Sequence, residues 1–178
     1  MLGVLKVENS VARNDAFRVF GPAILEENVA WPLNPDGQPM LLFVGVPAYL
    51  LNAAFDKNLY CNVFMTYDPI EETHIYDMNE FEADCEKYSV VILSDLRKSK
   101  IKKYRCIEPA KNLVVDAAFT EDVPYWLQDP IQMDGLAYGF QLSGLVLEKI
   151  CPNQFGDEEY YVLFNEGLTK GNVFVQTT

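Results

Sequence analysis

Short runs of β-branched and aromatic residues, each cut off by Pro, Gly, Asn or Asp, recur along this chain, and that punctuation points to a fold built on sheets. The clearest run, Tyr88 to Ser94, is apolar enough at its centre to predict a strand buried on both faces. The next, from about Lys100 to Ile107, sets Ile101, Tyr104 and Cys106 among Lys102, Lys103 and Arg105, which predicts a strand with a basic outward face. Asp95 to Ser99 is expected to join these two as a hairpin. Further strands are expected at Val4–Val7, Met40–Val44, Leu59–Tyr67, Leu113–Ala117, Ala137–Leu142, Tyr160–Phe164 and Asn172–Gln176. Helices are fewer. Pro47 to Asn52 can open a short one, because Pro is tolerated in a first turn, and Asp77 to Lys87 places Met78, Phe81 and Cys85 along one face. The expected class is therefore α+β, strand-dominated, with a mostly antiparallel sheet and a few short helices.

At 178 residues, 49% of them hydrophobic, the chain suits a single domain spanning 1–178 with an ample core. An internal echo suggests a finer division. Ile24-Leu25-Glu26, Trp31-Pro32, Gly37 and Met40–Phe43 have counterparts in Val146-Leu147-Glu148, Cys151-Pro152, Gly156 and Tyr160–Phe164, each set reading as strand, turn, turn, strand. Duplication into half-domains 1–87 and 88–178 would produce this pseudo-repeat, and so would turn residues recurring for local reasons.

Charge is the next constraint. Twenty-six acids face 14 bases, for a net charge of −12. A field of that sign repels phosphate backbones and anionic lipids and draws in cationic partners. Half of the bases (Arg97, Lys98, Lys100, Lys102, Lys103, Arg105 and Lys111) crowd one stretch in which Glu108 is the sole acid. A nucleic-acid reading of that stretch is outweighed by an edge strand whose lysines offset neighbouring acids and block unwanted pairing. Two other segments are purely acidic. Asp68, Glu71, Glu72, Asp77, Glu80, Glu82, Asp84 and Glu86 share 68–86 with no Lys or Arg, as do Asp116, Glu121, Asp122, Asp129 and Asp134 in 116–134.

Signatures of catalysis are sparse. His74 is the one histidine, so a histidine-rich metal site or a His-based triad has little to draw on. No G-x-x-x-x-G-K-S/T, G-x-G-x-x-G or G-x-S-x-G motif occurs. Cys61, Cys85, Cys106 and Cys151 are dispersed, with no C-x-x-C pair. No cofactor or metal is expected, and enzyme status is disfavoured. Without a basic leader followed by an apolar stretch, or an apolar run long enough to span a bilayer, a soluble protein of the reducing cytoplasm is expected.

Phe20-Gly-Pro-Ala-Ile-Leu25, Trp31-Pro32 and Asp36-Gly-Gln-Pro-Met-Leu-Leu-Phe43 resemble the opening of the bacterial YwqG-like family, where a Trp-Pro precedes a Gly-x-Pro turn and an apolar strand. Phe140–Leu145 and Gly167–Val175 are similar to its later Gly-containing strands. Gly45-Val46 stands where the family has a Gln, and Asn165-Glu166-Gly167 where it often has Trp-Gly-Asp. The resemblance implies an α+β fold with a curved sheet and an internal pseudo-repeat, and it supplies no catalytic residues. Trp31 is expected to cover the start of the following strand, with Pro32 setting the turn.

Small size, acidity and the lack of a catalytic motif together favour a non-catalytic binding protein. The leading expectation is an immunity protein that neutralises a basic toxin domain. The expected contact surface is Asp116, Glu121, Asp122, Tyr125, Trp126 and Asp129, in which prolines bracket two aromatics inside an acidic loop. Glu71, Glu72, Glu80, Glu82 and Glu86 form a second acidic face. For Trp126, packing into the core is an equal alternative. The other readings are a module that binds a small ligand in a groove of the sheet and a hydrolase built on paired carboxylates.

Overall fold

Extended segments rich in Val, Phe, Tyr and Leu can bury both faces only if sheets or ribbons cover them on each side. The computed structural model describes residues 6–8, 17–51, 54–68, 73–74, 88–102, 111–114, 135–150 and 155–177. In chain order the strands are β1 (Lys6–Glu8), β2 (Phe17–Val19), β3 (Ala23–Glu26), β4 (Leu41–Pro47), β5 (Leu59–Met65), β6 (Tyr67–Asp68), β7 (Thr73–His74), β8 (Ser89–Asp95), β9 (Ser99–Lys102), β10 (Lys111–Val114), β11 (Ala137–Ser143), β12 (Glu159–Phe164) and β13 (Gly171–Gln176). The helices described are α1 (Ala48–Leu51) and α2 (Gly144–Ile150). This is the strand-dominated α+β fold expected, and every strand pair described is antiparallel.

Six strands form the main sheet in the order β1-β10-β2-β4-β5-β8. A three-stranded sheet, β11-β12-β13, packs on one face. Phe17, Val19, Val44, Val46, Cys61, Val63 and Val91 of the large sheet share a cluster there with Phe140, Leu142, Tyr160, Val162, Phe164, Val173 and Val175 of the small one. A bulge between Leu42 and Val44 turns both Phe43 and Val44 into this cluster, since the extra residue shifts the alternation by one. Phe43 then meets the Tyr160 ring at 5.0 Å. Ser89 ties the sheets together by accepting the Val173 amide at 3.0 Å.

The opposite face is covered by a two-stranded ribbon, β3 with β9. After β2 the chain turns sharply at Phe20 (φ 57°) and Gly21 (φ 78°), which lifts β3 out of the sheet and across its other side. Ala23 and Leu25 then join Met40, Leu42 and Phe64 in a second, smaller core, with Val90, Ile92 and Trp31 packed against it. Trp31 has the role expected of it: its Nε1 donates to the Met40 carbonyl at 2.8 Å and its ring meets Phe64 edge-on at 5.3 Å.

Three expectations need correction. A tight turn does link β8 to β9, yet the two strands are not paired, because β9 leaves the large sheet and pairs with β3. The expected alternation in β9 also does not divide buried from exposed: Lys100, beside Leu25, is exposed as expected, but Ile101, beside the buried Ile24, is 53% exposed as well. Finally, Val146–Glu148 lies within helix α2, whereas Ile24–Glu26 is strand β3, so the two echoing stretches differ at their first element. The expected helix at Asp77–Lys87 lies outside the described residues.

Candidate functional site

All eleven expected contact residues (Glu71, Glu72, Glu80, Glu82, Glu86, Asp116, Glu121, Asp122, Tyr125, Trp126 and Asp129) lie outside the described residues. His74 falls in β7, paired with Tyr67 of β6. Among the described residues no group of three or more His, Cys, Asp or Glu could hold a metal, and no helix is long and apolar enough to cross a membrane. Cys61 is a buried free thiol whose pKa burial pushes up, which disfavours the nucleophilic thiolate.

Two polar constellations stand out. The first is the turn that follows β8. Asp95 Oδ1 accepts from the Arg97 amide (3.0 Å) and Nε (2.8 Å), and Oδ2 accepts from Nη2 (2.8 Å). Its carbonyl accepts from the Lys98 amide (2.9 Å) and the Ser99 hydroxyl (2.6 Å). The Arg97 side-chain bonds and its amide together hold the Asp95 carboxyl down at about 2. Arg97 also approaches Asp56 at 3.6 Å, and Lys98 approaches Asp95 at 3.9 Å. Further along, Lys100 Nζ meets Glu27 at 2.7 Å, and Lys102 Nζ donates to the carbonyls of Glu27 (3.0 Å) and Val29 (2.7 Å). Arg97, Lys98, Lys100 and Lys102 are therefore matched by acceptors of their own chain, as expected of bases that offset neighbouring acids. With the side chains of Arg97, Lys98, Lys100 and Glu27 well exposed, these pairs neutralise charge more than they stabilise.

The second constellation lies on the sheet face that the ribbon meets. Cross-strand partners share a face, and Arg18, Gly45 and Asn62 are successive partners across β2, β4 and β5. Tyr60, two residues before Asn62, points the same way. Arg18 and Tyr60 are both at 0% exposure. Arg18 Nε donates to the Tyr60 hydroxyl at 3.1 Å, and the guanidinium carbon stands 5.3 Å from that ring's centre. Burial raises the Tyr60 phenol to about 12, a shift that Arg18 opposes, so the hydroxyl stays protonated at neutral pH.

Beside this pair, Asn62 acts as a substitute strand edge. Its Oδ1 accepts the Ile24 amide at 3.1 Å and its Nδ2 donates to the Ile24 carbonyl at 2.8 Å. The same Nδ2 lies 3.2 Å from the Ile92 carbonyl. One side chain thus satisfies both backbone groups of Ile24 where the ribbon crosses the sheet. The polar group centred on Arg18 was not foreseen. The signal was a lone cation in Phe17-Arg18-Val19-Phe20, where alternation puts Arg18 opposite two apolar neighbours, but three residues are too few to establish a period.

No protein-family model matches this chain, and a search of curated proteins finds no match.

Proposed function

We propose that the protein is a non-catalytic acidic binding protein, an immunity protein that captures a basic toxin domain by direct contact. One observation carries the reading. Arg97, Lys98, Lys100 and Lys102, four of the seven bases in the chain's main basic stretch, each meet a carboxylate or carbonyl of the same chain. Those contacts offset part of the basic stretch within the chain, against a net charge of −12. A field of one sign speeds capture of an opposite one, and salt screens it. The expected contact surface is the acidic and aromatic set in 116–129, with the glutamates of 71–86 beside it. Its home is the cytoplasm. The chain is taken as one domain and as a divergent member of the YwqG-like family, supported by the Trp31 cover and by the Gly-x-Pro entry into β4.

Capture of the tagged full chain from its native host, followed by co-expression, is the test. The reading expects a basic protein that arrests growth when expressed alone, becomes harmless when expressed with this chain, and binds more weakly and more slowly as salt rises. If no basic protein is recovered, or if the recovered protein is equally toxic with and without this chain, the reading is wrong.

A further inference from the structure

Arg18 combines two costs that packing alone does not repay. A guanidinium at 0% exposure has lost its hydration, and among the described residues nothing accepts from its Nη1 or Nη2. Gly45, in the middle of a central strand, gives up the packing a side chain would supply. A Cβ built there would stand 2.6 Å from the Tyr60 hydroxyl, so the glycine is what lets the Tyr60 ring lie across β4 toward Arg18. Both costs serve one juxtaposition, in which Tyr60 engages Nε and the outer edge of the guanidinium is left unengaged.

We infer that Arg18 and Tyr60 form the wall of a binding site for an oxyanion, the carboxylate or phosphate group of a small molecule. Nη1 and Nη2 present N–H groups in a planar fork, the geometry that matches two oxygens of such a group and that lysine does not reproduce. The phenol fixes the guanidinium by accepting from Nε, and its ring adds a cation–π contact. With no guanidinium surface exposed, an anion reaches the site through local opening of the chain. The site is independent of the acidic-partner reading, because it is buried and uses a cation.

The test uses the full chain, with thermal unfolding measured in sodium phosphate, in sodium acetate, and in sodium chloride at matched ionic strength. Arginine side-chain NMR resonances are followed in the same titrations. Phosphate or acetate should raise the midpoint beyond chloride in a saturable way and shift the Arg18 Nε and Nη signals. The more effective salt identifies the oxyanion class. Arg18→Met should abolish the specific response while the protein stays folded, since an apolar residue of similar length often replaces a buried charge without loss. Should Arg18→Met fail to fold, Arg18→Lys serves in its place, keeping the charge without the fork, with apparent affinity reduced about tenfold or more. Tyr60→Phe should weaken the response less. Equal effects of all three salts, unmoved Arg18 signals, or an undiminished response in Arg18→Met or Arg18→Lys would each overturn the inference.

Discussion

One face of the six-stranded sheet meets its neighbour through Phe43, Val44, Val63, Phe140 and Val162, whereas the other meets the β3–β9 ribbon through Asn62 as well as apolar groups. On the first face, affinity between layers comes from area and close packing, which are tolerant of small shifts in alignment. On the second, Asn62 must find both polar groups of Ile24, and a displacement of one residue would leave them buried and unmatched. The apolar face accounts for how firmly the layers adhere, and the polar face for where the ribbon comes to rest.

The sharpest way to break this contrast is Phe43→Ala. It removes a wholly buried ring from the apolar side and should cost about 3–5 kcal/mol in urea unfolding. Asn62→Ala should cost less, about 2 kcal/mol, by stranding the Ile24 amide and carbonyl. It should also release the ribbon, so that hydrogen exchange speeds up at β3 and β9 while β12 stays protected. Uniform acceleration across both faces would show that the ribbon does not open separately. Trp31→Phe keeps an aromatic ring on Phe64 and loses the bond to the Met40 carbonyl, for about 1 kcal/mol. The smallest effect is at the rim. Asp95 is held at about 2, below its unfolded value, so its contribution is present above about pH 4 and is lost as pH falls toward 2. An acid-unfolding series on Arg97→Ala should show that part of the pH dependence reduced. A curve identical to that of the natural protein would remove Asp95 from the account.

How far the fold could be read from residues differs between the same two regions. Strands β4, β5, β8, β11, β12 and β13 were legible because each is an apolar or aromatic run of six or seven residues ended by a turn residue. β2 was not, being three residues long. The ribbon was misread because the partner of β9 is chosen by long-range contacts. Glu26 accepts the Asp95 amide at 3.2 Å and Asn62 holds Ile24, neither of which is visible in local alternation. Helix α2 resembles a strand in composition, yet the Gly144 amide is held by the Glu158 carbonyl at 2.7 Å and Leu147 alone of its described side chains is fully buried. Of the candidate sites, the offsetting of acids by Arg97, Lys98 and Lys100 was foreseen from charge order. The buried Arg18 was not, because its meaning depends on Gly45 and Tyr60 arriving from two other strands.

The order β1-β10-β2 has a consequence for synthesis. Lys6 lies opposite Val114, and Phe17 opposite Leu113, so β10 is wedged between two strands that the ribosome releases long before it. Until that wedge emerges, the early strands have open edges, and the high contact order should make folding slow and the nascent chain prone to mispairing. A holdase bound at the unpaired edge of β2 would therefore be most useful during the interval before residue 114 leaves the exit tunnel.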